Sequence, residues 1–198
     1  MKKKSVKELV GLAIILSIVI VLQTIGSFIK IGSFSISLVL VPIVIGAILY
    51  GPKAGAILGL TFSLVVVYQC ASGVDAGGAI LFNANAFLTV LLCVLKGTLC
   101  GFGAGLIYQK IKIKNDLIRT LIASISAPII NTGIFVIGLY ICFFDILKAW
   151  AGGSNTVYYV ITGLVGLNFV IETAFNGFLS PAILRIIKIA NIDNEDEE

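Results

Sequence analysis

Chemistry in this sequence has to come from a few polar side chains set among apolar ones. Lys96 stands in the middle of an apolar run, 86–109, long enough to cross a bilayer. A charge at bilayer mid-depth costs about 2.5–3.5 kcal/mol on insertion scales, so it has a partner or a task. Thr89, Cys93, Lys96 and Cys100 follow one another at i, i+4, i+7 and i+11, which is one face of a helix. Near the C-terminus, Asn168, Glu172, Asn176 and Ser180 repeat every four residues and make a polar stripe. Asn131 and Thr132 follow Pro128, whose ring frees carbonyls near mid-depth of a membrane helix. Asn83 and Asn85 precede the Lys96 run, after an acidic glycine-rich stretch, Gly73 to Gly78.

Two readings fit this set. In one, Lys96 and Glu172 neutralise each other and the amides tie helices together. In the other, Lys96 meets the anionic group of a ligand in a cavity between three helices, and Asn83, Asn85, Thr89, Asn131, Asn168 and Glu172 complete the site. The sequence alone does not choose between them. By default Asn83 and Asn85 form a helix N-terminal cap with its neighbour, and Asp75 is a solvated loop residue. No metal or cofactor is expected. The chain has no histidine, no CxxC pair, no GxSxG elbow and no GxxxxGK[ST] phosphate loop, so nothing in it points to an enzyme. The cysteines, Cys70, Cys93, Cys100 and Cys142, read as small membrane-embedded thiols.

The elements that position these groups are membrane spans. Of 198 residues, 59% are hydrophobic and 12% charged, against about 25% charged in soluble domains. This is the composition of an integral membrane protein, with no room for a separate soluble domain. The fold class is therefore all-α, six transmembrane helices in one bundle, expected at 6–28, 37–50, 54–68, 86–109, 116–144 and 157–189. The segment 191–198 is an acidic tail, expected to be disordered. The first run is too long for a signal-peptide core and is read as a retained helix. Gly51-Pro52-Lys53 makes a tight turn between antiparallel neighbours. Small residues recur at Gly11, Ala13 and Ser17, at Gly55, Gly59 and Ser63, and at Gly97, Gly101 and Gly105, spacings that let helices approach closely. Eleven of the fourteen basic residues fall on the side of the termini (Lys2, Lys3, Lys4, Lys7, Lys53, Lys110, Lys112, Lys114, Arg119, Arg185 and Lys188). Both termini are therefore expected in the cytoplasm, with 29–37, 69–85 and 145–156 outside the cell membrane.

These residues carry a resemblance. The chain resembles the substrate-binding S component of an energy-coupling factor (ECF) vitamin transporter. The likeness lies in the short six-span chain, in the small-xxx-small motif of the first span, in the hinge Tyr50-Gly51-Pro52-Lys53-Ala54-Gly55-Ala56, and in the loop that runs into a polar fourth span. The family's usual first-span motif is Ala-xxx-Ala; here it is Ala13-xxx-Ser17. The resemblance implies high-affinity binding of a vitamin near the outer face by the last three spans. It implies no ATP hydrolysis by this chain, and docking of the first three spans, with Gly11, Ala13 and Ser17 at the coupling face, onto a membrane scaffold subunit linked to two ATPases. Lys96 favours an anionic ligand, with pantothenate first and folate or riboflavin next. The rival is an autonomous ion-coupled transporter or channel using Lys96 and Glu172.

Overall fold

The computed structural model describes residues 6–26, 30–31, 34–35, 38–160, 162 and 166–195. Nearly all of this is helix. Five helices are long and apolar enough to cross a membrane: α1 (Val6–Gly26), α3 (Pro52–Ser72), α5 (Ala86–Lys110), α6 (Asp116–Cys142) and, over Phe169–Ala190, α9 (Leu167–Glu195). A sixth apolar helix, α2 (Leu40–Tyr50), has 11 residues, only about 16 Å of rise against a hydrocarbon core of about 30 Å. It is a buried core helix: Leu40, Ile43 and Val44 have no exposed surface, and it touches α1, α3, α5, α6 and α9. Pro42 lies in its first turn, where the missing N–H leaves no hydrogen bond unmade. A two-residue antiparallel ladder, β1 (Lys30–Ile31) with β2 (Phe34–Ser35), is described between α1 and α2.

Several expected boundaries shift, each for a local reason. The second helix begins at Leu40 rather than 37, after a turn at 38–39. The third runs from Pro52 to Ser72 rather than 54–68. Pro52 is pre-set for the first helical position, and Gly73 ends the helix in the left-handed region at φ 79°. The expected loop 69–85 holds a further helix, α4 (Ala76–Ala84). Asp75 is therefore not a solvated loop residue but the α4 N-cap, its Oδ1 accepting from Gly78 N at 2.8 Å. The fifth helix stops at Cys142 rather than 144, and the expected loop 145–156 is largely helix α7 (Phe144–Ala151), which buries Leu147 and Ala151. Over the expected sixth helix, 157–189, residues 161 and 163–165 lie outside the described residues. One turn, α8 (Thr156–Tyr159), passes into wider π-helical backbone at Val160, Thr162 and Gly166 before α9 begins. The expected disordered tail is helical to Glu195.

The bundle is held by backbone contact between α3 and α5. A Cβ placed on Gly59 would overlap the carbonyl of Gly97, and one on Gly55 would overlap that of Gly101. Ser63 Oγ donates across the same seam to Cys93 O at 2.7 Å. Gly55, Gly59 and Ser63 are thus internal packing residues, interlocked with Gly97 and Gly101, and are not free for a partner protein. With no net hydrophobic drive between helices in lipid, such close approach supplies the dispersion and hydrogen bonds that hold a bundle. Outward, α1 exposes Val6, Leu9, Val10, Ile14, Ile18 and Val21, a surface suited to lipid or another membrane chain.

Candidate functional site

Two asparagine and aspartate caps build the site's roof. Asn85 stops α4, its N–H donating to Leu81 O, and starts α5, its Oδ1 accepting from Leu88 N at 3.0 Å. Its carbonyl takes the hydroxyl of Thr89 at 2.9 Å. The α4 helix is pressed onto α3 at Gly78, where a Cβ would overlap Cys70 Sγ. Below this roof lies a cavity of about 30 Å³ between α3, α4, α5 and α6, lined among others by Cys70, Asp75, Thr89, Cys93, Lys96 and Phe135. That volume admits a water molecule or two, whereas pockets for small organic ligands run to about 300–1,000 Å³.

Lys96 lies ten residues into α5, about 15 Å below its start and close to bilayer mid-depth. It is half-buried. Its Nζ sits 4.6 Å from the centroid of the Phe135 ring on α6, a contact worth about 0.5–2 kcal/mol according to how dry it is. Phe135 was not singled out in the sequence, although it stands one turn beyond Asn131 on the same face of α6. The face Thr89–Cys93–Cys100 is buried as its spacing implied.

The other expected site residues divide by depth. Asn85 lines a groove of about 260 Å³ with Leu88, Cys142, Phe143 and Asp145, and Asn83 is exposed. Asn131 and Glu172 are buried and do not line the small Lys96 cavity. Cys100, fully buried on α5, lies within electrostatic reach of both Lys96 and Glu172. Asn168 is in the first turn of α9, but its side chain lies outside the described residues. Of the residues expected at the coupling face, Gly11 packs against the ring of Tyr50. Ala13 and Ser17 are exposed, and Ser17 Oγ donates back to Ala13 O at 3.0 Å. A buried amide pair that sequence reading passed over ties α1 to α3, with Gln23 Nε2 donating to Gln69 Oε1 at 3.0 Å.

The sequence of this helical bundle has a family. A family model described as "ECF transporter, substrate-specific component" matches residues 7–184. The chain belongs to this family. No curated protein matches it. As an ECF substrate-specific component it is a multi-pass protein of the cell membrane, a substrate-binding subunit for vitamin-type uptake and not an enzyme. It works with the scaffold and ATPase modules of an ECF transporter.

Proposed function

We propose that this S component captures a small water-soluble vitamin at the outer face, an anionic one in the first place (pantothenate, then folate) whose carboxylate Lys96 receives, with uncharged riboflavin as the alternative. The observation that carries the reading is the Lys96 ammonium, held over the Phe135 ring at mid-depth beneath α4. A cation resting on a ring face keeps N–H groups for an anion, and a charge-assisted bond to a carboxylate is worth about 1.5–3 kcal/mol. Thr89, on the same face and buried, lines the same cavity, its hydroxyl donating to Asn85 O in the closed state. Asn83 and Asn85 belong to the outer approach, and Asn131, Asn168 and Glu172 to the inner wall. The bound state requires the roof to lift, because a vitamin exceeds the present cavity.

The topology proposed with it is a single transmembrane domain. Six apolar helices, α2 included, span or plug it, and both termini are in the cytoplasm, as the lysine and arginine distribution supports. Ala13 and Ser17, exposed on α1, then face the scaffold subunit, while Gly11 serves the α1–α2 contact. Binding of pantothenate, folate and riboflavin to the purified chain, followed by calorimetry, tests the ligand class. Cellular uptake with and without the scaffold and ATPase subunits tests the coupling. Saturable binding of pantothenate and uptake that needs the other subunits are expected. Uptake by the lone chain, driven by a proton gradient, would sink the S-component mechanism for this protein.

A further inference from the structure

A second opening lies at the far end of α5, away from the Lys96 cavity and unused by the vitamin site. There the turn between α2 and α3 and the end of α5 enclose a groove of about 380 Å³. Tyr50, Pro52, Phe102 and Leu106 give it apolar walls, and Lys53 and Gln109 supply polar groups. The turn is seated on α5 at Gly105, where a Cβ would lie 2.9 Å from Pro52 Cα, and Gln109 Nε2 lies beside Gly51. Lys53 and Gln109 are exposed, and among the described residues neither side chain has a hydrogen-bond or ion-pair partner. Arg119, by contrast, is already engaged, its Nε donating to Tyr108 O at 2.6 Å and its guanidinium 4.0 Å from the Tyr108 ring centroid. The groove continues as a furrow between α3 and α5. In antiparallel helices the residue after each seam position falls on the same side of the seam, which puts Leu60 and Leu64 of α3 on the side of Phe102. All three are exposed. From Lys53 to Leu64 the helix rises about 16 Å, roughly half of a hydrocarbon core of about 30 Å and so the depth of one leaflet.

We propose that this groove binds one anionic phospholipid, its phosphate at Lys53 and Gln109 and one acyl chain along the furrow. Both halves of the ligand are read from the lining. An ammonium and a neutral amide suit a phosphate. Lys110, Lys112 and Lys114 follow in the chain at this end, so a headgroup that carries its own cation meets repulsion that an anionic one does not. The apolar walls and the furrow match an acyl chain, which a free phosphate lacks. With the termini in the cytoplasm, as proposed above, the groove opens to the inner leaflet, whose surface is the negative one.

The experiment is thermal unfolding of the full chain in neutral detergent, without vitamin, titrated with phosphatidylglycerol, phosphatidylcholine or soluble glycerol phosphate. Phosphatidylglycerol at tenfold excess over its dissociation constant raises the midpoint by about 3–6 °C, and the rise saturates. Phosphatidylcholine raises it less, and glycerol phosphate does not raise it. Lys53→Gln weakens the apparent phosphatidylglycerol affinity about tenfold. Lys112→Gln, which removes an exposed cation outside the groove, leaves it unchanged. Equal shifts with the two lipids, a shift with glycerol phosphate alone, or equal losses in the two lysine variants would overturn the proposal. So would a chain indifferent to lipid in which Lys53→Gln weakens capture of the purified scaffold subunit, because the groove would then belong to that protein. The measurement uses neither vitamin nor a sided membrane, so its failure leaves the ligand and topology readings where they stood.

Discussion

Lys96→Met separates the two roles open to this lysine by the sign of its effect on stability. If the ammonium serves a ligand and rests meanwhile on Phe135 at 4.6 Å, the substitution loses a cation–π contact of about 0.5–2 kcal/mol. It also removes an ammonium from mid-depth, a relief of about 2.5–3.5 kcal/mol on insertion scales. Methionine is similar in length and unbranched, so it fills the same space. The net effect is stabilisation of about 0.5–3 kcal/mol, or a midpoint higher by about 1–12 °C for a chain of this size. If Lys96 instead exists to neutralise Glu172, the variant strands a buried carboxylate. Stability then falls by about 3–5 kcal/mol, and the midpoint drops by about 6–20 °C. Differential scanning fluorimetry of the purified chain, with Glu172→Gln alongside, reads the sign directly. Pantothenate calorimetry on the same samples should show affinity lowered about 10- to 150-fold, the loss of one charge-assisted bond. A Lys96→Met protein that melts several degrees below the parent, with Glu172→Gln behaving alike, would refute the reasoning.

Two other substitutions probe the frame around the site. Gly59→Ala places a Cβ against the Gly97 carbonyl, which cannot yield as a side chain does, so overpacking costs about 1–3 kcal/mol. Gly133→Ala has nothing within 4 Å and keeps only the helix-propensity gain of about 1 kcal/mol. Melting curves of the pair should differ by at least about 4 °C, and equal curves would mean that α3 and α5 do not meet backbone to backbone. Asp75→Ala removes the cap on α4, costing about 1 kcal/mol. Hydrogen exchange of the Gly78 and Ala79 amides should accelerate about fivefold, while exchange in the middle of α3 should not change.

Much of the membrane architecture was legible because the bilayer imposes a long-range rule on a local pattern. Apolar runs of about 20 residues can hide their backbone only as helices, and small-residue stripes must meet other helices. Gly55–Gly59–Ser63 and Gly97–Gly101 bear this out. The boundaries at the outer end were not legible. Ala76–Ala84 contains two adjacent glycines and Phe144–Ala151 two charges, so each reads as loop in isolation. Helix is stable there because Leu81 and Leu147 are buried in one cluster with Leu92, Leu139 and Phe143, a cluster in which Leu81 and Leu147 stand 66 positions apart.

The site shows the same division. Sequence alone determined that a lysine stands within a membrane-length apolar run and that Thr89, Cys93 and Cys100 share its face, because residue type and helical period are local properties. Only the tertiary structure decided that the ring of Phe135 lies against the lysine, that Asp75 caps a helix above it, and that Asn85 and Glu172 sit outside the small cavity it lines. Those facts depend on the register between α5 and α6 and on the packing of α4. Register is set by how glycines and bulky side chains of different helices interlock, which no single stretch of chain contains.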